Sequence, residues 1–226
     1  MPGRIIPLVT DEIYHVFNRG IDHRPTFLNK REFERAKEVI TFYRFAHLPF
    51  RLSIFLLKSQ DRRKEIMNKL NNNTDRLVEI ISYCLMPNHF HFILKQKVQN
   101  GIAKFMSNFQ NSYTRYFNTK NKRTGPLFLD QFKAIRIETD EQLLHVSRYL
   151  HLNPYTSYLV KTSKNILSYP WSSILEILRP FENICQTDMI LTHFKTKKEY
   201  KRFILDQADY QRNLEKIKHL ICESIT

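Results

Sequence analysis

The segment Tyr83–Leu94, YCLMPNHFHFIL, constrains this chain more than any other. Side chains of a β-strand point alternately to its two faces. As a strand, the segment puts His89, His91 and Ile93 on one face and Phe90, Phe92 and Leu94 on the other. The phenylalanine face calls for a hydrophobic core. The histidine face sets two imidazoles side by side, an arrangement suited to gripping one divalent metal ion. Two imidazoles do not complete a coordination shell, so a third ligand has to come from elsewhere in the chain. Glu79–Leu85 reads as a preceding strand, with Met86, Pro87 and Asn88 as the turn between the two.

Charge narrows the partners. The 226 residues carry a net charge of +14, with a pI near 9.7. A balance this basic points to a polyanion, either nucleic acid or an anionic membrane surface. No apolar run approaches the roughly 18 residues needed to span a bilayer. The opening MPGRIIPLVTDEIY has acidic residues and no long apolar stretch, so it does not read as a signal peptide. Three scattered cysteines, Cys84, Cys185 and Cys222, suggest a reducing cytoplasm and no disulfide framework. With 4 glycines and neither GxxxxGK[ST] nor GxGxxG, the chain has no phosphate-cradling loop, and ATP use is not expected.

Taken in order, Glu12–Asn18 reads as a first strand ending at Arg19 and Gly20. Asn29 is a helix N-cap with Glu32 at N3. Phe33, Ala36, Ile40 and Tyr43 continue at helical spacing to about Ala46, before Pro49. Pro49–Lys58 is apolar and fits either strand or helix. Ser59–Leu70 reads as a charged helix, and 71–74 as a loop. His15 and His23 read as structural or solvated. After the histidine strand, Asn100 and Gly101 open a helix to about Asn118, striped with Ile102, Phe105, Met106, Phe109, Tyr113 and Phe117. Lys120–Arg123 reads as an exposed basic loop suited to a phosphate backbone. Leu127–Ile137 reads as another strand, carrying Lys133 and Arg136. Thr139 caps a further helix, with Gln142 at N3 and an apolar stripe of Leu143, Val146 and Leu150. His145, Tyr149 and Asn153 share another face of it, and Pro154 is expected to end it. The remainder, after a junction at Tyr169–Ser173, reads as helical and basic.

Five pieces in collinear order resemble one family: YHVFNRG, YCLMPNHFHFIL, GPLFLDQFKAIRIE, RYLHLNP and YPWSS. Together they resemble the IS200-like Y1 transposases of the HUH class, and within these the REP-associated tyrosine transposases. The resemblance spans about Ile13 to Ser173. It implies an α+β fold: a ferredoxin-like (RRM-like) antiparallel sheet with helices on one face, plus a C-terminal helical extension. The expected division is a transposase domain over 1–160, with an insertion at 49–75, and a basic extension over 161–226. The resemblance implies a metal-dependent endonuclease and strand transferase, acting on single-stranded or hairpin DNA through a 5′-phosphotyrosine.

Among 11 tyrosines, the resemblance singles out Tyr149 of RYLHLNP as the nucleophile. It makes His89 and His91 metal ligands, Asn153 the third, and Mg²⁺ or Mn²⁺ the cofactor, with no nucleotide. One helical turn separates Tyr149 from Asn153, so a metal at Asn153 lies near the phenol oxygen. Tyr113, Tyr116, Tyr155 and Tyr158 compete for the role, and His145 and His151 flank Tyr149. Cations offered to the DNA are Arg19, Lys104, Arg115, Lys120, Lys122, Arg123, Lys133 and Arg136. The expected setting is the cytoplasm, in association with the nucleoid, as monomer or homodimer and without a membrane partner. A non-catalytic single-stranded nucleic-acid binder on the same sheet is the alternative, since aromatic stacking and basic charge serve that use without the metal ligands. A metallohydrolase would need further His and Asp ligands, and an inactive descendant would not need the complete residue set.

Overall fold

Four strands form one antiparallel sheet: β1 Ile13–Arg19, β2 Val78–Met86, β3 His89–Gln96 and β4 Lys133–Ile137. Their spatial order is β2-β3-β1-β4. With helix α1 (Lys30–Tyr43) between β1 and β2, and α4 (Gly101–Lys120) between β3 and β4, this is the expected ferredoxin-like α+β arrangement. The computed structural model describes residues 7–72, 75–179 and 184–214.

β2 and β3 form a hairpin that pairs Met86 with His89 across the two-residue turn Pro87-Asn88. β1 lies against β3 with Phe17 opposite His91 and Arg19 opposite His89. Gly20 ends β1 where the chain has no room for a side chain, because a Cβ there would meet the Arg24 carbonyl oxygen at 2.3 Å. Gly101 opens α4 under the same constraint, 2.2 Å from the Leu77 carbonyl oxygen.

The two faces of the sheet are covered differently. Phe90, Phe92 and Leu94 join Tyr14 and Val16 in a core closed by Phe33, Ala36 and Ile40 of α1 and Phe105, Phe109 and Tyr113 of α4. Ile93, Ile81, Cys84 and Met86 face the other way, into a second core with Leu143 and Leu150 of α5 (Asp140–Thr156) and residues after it. That core includes Ile174 and Ile177 of α6 (Ile174–Leu178), Ile190 of α7 (Asp188–Leu191) and Tyr200 and Ile204 of α8 (Lys197–Leu205). Helices thus lie on both faces, with α1 and α4 as the layer expected from the sequence.

Local capping follows the sequence at two helices. The Asn29 side chain accepts from the Glu32 N–H, and the Glu32 carboxylate accepts from Leu28 N–H. Thr139 accepts from Gln142 N–H, whose amide oxygen accepts from Glu138 N–H. Each pair satisfies backbone donors that a helix start leaves open.

Several boundaries differ from the sequence reading. α1 ends at Tyr43 rather than near Ala46, because Phe45 leaves the helix for a β-bridge with Arg76. Pro49–Lys58 contains one short helix, α2 (Leu52–Leu56), and the charged helix α3 runs over Gln60–Asn72, so Asn71 and Asn72 are helical. The expected strand Leu127–Ile137 shrinks to β4, with Phe128 making only an isolated bridge to Gly20. α5 does not stop before Pro154. It continues to Thr156, since Pro removes one N–H while Tyr155 and Thr156 remain buried and Ser157 N–H bonds back to Asn153. Cys84 and Cys185 are free and buried; Cys222 and the expected helix beyond Leu214 lie outside the described residues. Among the described residues no helix is long and apolar enough to cross a membrane.

Candidate metal and nucleophile site

β3 delivers His89 and His91 to the face opposite the phenylalanine core, as the strand period requires. Their rings stand perpendicular, with centroids 5.1 Å apart. α5 crosses this face and brings Tyr149, whose ring stands edge-on to His91 at 5.7 Å. Tyr149 keeps 38% of its surface exposed, so part of the residue faces solution. One turn later, Asn153 is 5% exposed, and its amide N–H donates to the Tyr149 carbonyl at 3.3 Å. That bond uses the Asn153 amide nitrogen, so the amide oxygen is the atom it has left to offer, beside His89.

The histidines are neutral donors. Burial lowers His89 to about 4 and pushes His91 well below the ordinary histidine value, with a neighbouring imidazole adding to the effect. One nitrogen of each ring is already held: His89 Nδ1 lies 2.6 Å from Asn88 Oδ1, and His91 Nδ1 lies 2.9 Å from His15 Nε2. With Nδ1–H donating in each case, both Nε2 lone pairs remain for a ligand.

His15 was not singled out by the sequence. Burial lowers it to about 4, so it too is neutral, and its ring stacks on His91 at 5.2 Å. It sits opposite Ile93 in the β1–β3 register, two positions from the Phe17–His91 pair and on the same face. The signal available was its place in YHVFN, on the β1 face shared with Phe17, but which β3 residue lies beside it depends on the strand register.

The residue set fits a divalent metal. His89, His91 and Asn153 offer two imidazole nitrogens and an amide oxygen, all uncharged, so an ion would keep its full charge toward a phosphate. Among the described residues no group of three or more His, Cys, Asp or Glu forms a cluster of its own, so a metal at the histidine pair would have to take its third donor from a residue of another type, such as Asn153.

The competing tyrosines are elsewhere. Tyr113 is fully buried under the phenylalanine face and donates to the Thr26 carbonyl, and burial raises its pKa far above normal. Tyr116 lies on the same helix. The Tyr155 hydroxyl donates to Asp209, and Arg212 lies over the rings of Tyr155 and Tyr158. His145 sits beside Arg148, while His151 is buried and lowered to about 3, with Ser82 and Ser173 at Nε2 and Tyr200 at Nδ1. That buried network ties α5 to β2 and α8. The YPWSS segment adds to it by pairing Ser172 with Cys84 along β2.

The eight cations are dispersed. Arg19, opposite His89 and bonded to His23 at 2.6 Å, is the one beside the histidines. Lys120 is not in a loop: it is the last residue of α4 and pairs with buried Glu32 at 2.7 Å. Arg123 folds onto Asn118 and the Gly125 carbonyl, which holds its own turn. Arg136 pairs with Glu12 at 2.7 Å, while Lys104, Arg115, Lys122 and Lys133 are exposed.

The family model described as "Transposase IS200 like" matches residues 45–153, a little under half of the chain. No curated protein sequence matches it. Among solved structures, a REP-associated tyrosine transposase bound to a REP hairpin aligns over 81% of this chain and 90% of its own, with a TM-score of 0.48 and 12% identity. A crystal structure of a candidate transposase from Deinococcus radiodurans R1 aligns over 66% and 94%, with a TM-score of 0.35 and 13% identity.

Proposed function

Residues 45–153 match the family model of IS200-like transposases, and on that match we propose that the chain is a member of that family which cuts and rejoins single-stranded or hairpin DNA through Tyr149. The observation that carries the reading is the placement of one half-exposed phenol edge-on to His91, a helical turn from Asn153.

His89, His91 and Asn153 would hold Mg²⁺ or Mn²⁺. Such an ion supplies charge neutralisation to the scissile phosphate and to the charge that builds during displacement. The chain's own residues do the rest. α5 fixes Tyr149 at the edge of the histidine pair, and the exposed ring lets a strand approach in line. Attack of the Tyr149 oxygen on phosphorus forms the tyrosine–phosphate bond and breaks the bond to the 3′ oxygen, which leaves with a proton as a free 3′-OH. The phenolic proton passes to solvent, which reaches this partly exposed ring. Rejoining reverses each step, so the phosphodiester energy is kept in the covalent bond and no nucleotide is consumed. Arg19, opposite His89, is placed to meet a phosphate. A non-catalytic binder would have no use for a phenol set beside three neutral donors.

The test is incubation with a library of labelled single-stranded and hairpin DNAs plus Mg²⁺ or Mn²⁺, followed by a denaturing gel. The expected result is a protease-sensitive, gel-shifted 5′ end and an unblocked 3′-OH, with the nucleotide on Tyr149 by mass spectrometry. A nucleotide on another tyrosine would overturn the assignment.

A further inference from the structure

A groove of about 830 Å³ runs along the outside of the helical layer, between α1, α2 and α4. Five cations line it: Arg31, Arg35, Arg51, Arg115 and Lys120; no Asp or Glu does. Two of the five are engaged. Arg35 pairs with Glu38 and lies over the Tyr116 ring, and Lys120 pairs with Glu32. The guanidinium groups of Arg31, Arg51 and Arg115 are exposed and have no hydrogen bond or ion pair among the described residues. The Tyr116 hydroxyl, also in the lining, is buried without a hydrogen-bond partner. Between the cations lie the amides and hydroxyls of Asn108, Asn111, Ser112 and Thr119.

Three unneutralised guanidiniums on one concave surface repel one another, and an anion spanning them would remove that repulsion. Their spread over α1, the N-cap of α2 and α4 suits a repeating anion rather than a single small one. A second groove, about 470 Å³ on the other flank of α4, carries Asp130 and no Lys or Arg, so the charge is particular to the first.

We propose that this groove binds the phosphate backbone of the nucleic acid, on the side of the sheet away from the histidines. α1 and α4 cover the Phe90 and Phe92 face, whereas Tyr149 stands against His91 on the opposite face. A DNA molecule engaging both places therefore rounds an edge of the sheet, and the part held in the groove is not the part being cut. One wall, Arg51 to Leu57, comes from the 49–75 segment, which the family resemblance makes an expected insertion. The inference rests on the proposed function for the identity of the ligand, but not for the existence of the groove.

The experiment compares the full chain with the triple variant Arg31→Ala, Arg51→Ala, Arg115→Ala. A control triple, Lys197→Ala, Lys198→Ala, Lys201→Ala, removes an equal charge from exposed positions on α8. Probes are a labelled hairpin oligonucleotide and an unstructured oligothymidylate of equal length, titrated between 50 and 200 mM salt, with thermal melting to verify folding. The groove variant is expected to lose at least about tenfold in affinity, and the log–log salt slope to fall by about 2 to 3 in magnitude, since each lost phosphate contact removes about 0.7 to 0.9 from it. A loss confined to the hairpin assigns the groove to the stem; a loss shared by both probes assigns it to single strand. Unchanged slope and affinity, an equal loss in the control, or competition by polyglutamate as effective as by DNA overturns the proposal. Adduct formation by the unaltered protein is scored in parallel: adduct without groove dependence sinks only the groove, and groove dependence without adduct sinks only the cleavage reading.

Discussion

The two faces of β3 carry opposite physics on alternate residues. Phe90 and Phe92 are fully buried in a core of aromatic rings, where Phe109 meets both edge-on at 5.0 and 5.5 Å. His89 and His91, one residue away each, are held by polar neighbours with their ring nitrogens directed by Asn88 and His15. The first face supplies stability without chemistry. The second places three neutral donors and a phenol at the edge of solvent. A register slip of one residue would exchange the two sets and abolish both uses, so the core is what sets the register on which the site depends.

Five predictions break or sharpen this contrast. The largest effect is expected from Tyr149→Phe, which removes one oxygen and keeps the ring. Folding and DNA binding should persist while the covalent adduct disappears from the denaturing gel. Tyr113→Phe, Tyr116→Phe and Tyr155→Phe should retain it, and an adduct surviving in Tyr149→Phe would end the assignment.

On the histidine face, His89→Ala or His91→Ala should abolish cleavage, as should chelation of divalent metal, while most DNA affinity remains because the phosphate contacts lie elsewhere. Wild-type nicking by both variants would remove the metal from the account. Across the strand, Phe92→Ala should cost about 3–5 kcal/mol of stability, the usual range for truncating a buried phenylalanine. Denaturant unfolding measures it, and a loss below about 1 kcal/mol would mean the aromatic face is not the main core.

Smaller effects separate the donors. Asn153→Ala should lower activity and be partly rescued by higher Mn²⁺, since a neutral amide is the weakest of the three ligands. Full activity at low metal would take Asn153 out of the site. His15→Phe keeps a ring on the His91 stack but removes the nitrogen partner. It should raise the metal concentration needed by about tenfold, the lower end for residues that orient a ligand. An unaltered metal titration with intact folding would reduce His15 to packing.

The sequence alone determined the elements whose causes are local. The period of two in β3, the caps at Asn29 and Thr139, and the apolar stripe of α4 all appear where expected, because each depends on residues within about a helical turn or a strand's length. The i, i+4 spacing of Tyr149 and Asn153 was equally legible, although only the resemblance to a family gave those two their roles. Tertiary structure decided the rest. Pro154 does not end α5, since burial of Tyr155 and Thr156 outweighs one missing N–H. Lys120 leaves the basic loop for a buried carboxylate 88 residues away, and His15 becomes the partner of His91 76 residues away. The three unpaired arginines of the groove come from three separate places in the chain, α1, the N-cap of α2 and α4. Pairings over such separations depend on how the strands register and how the helices pack, and no local pattern in the chain encodes them.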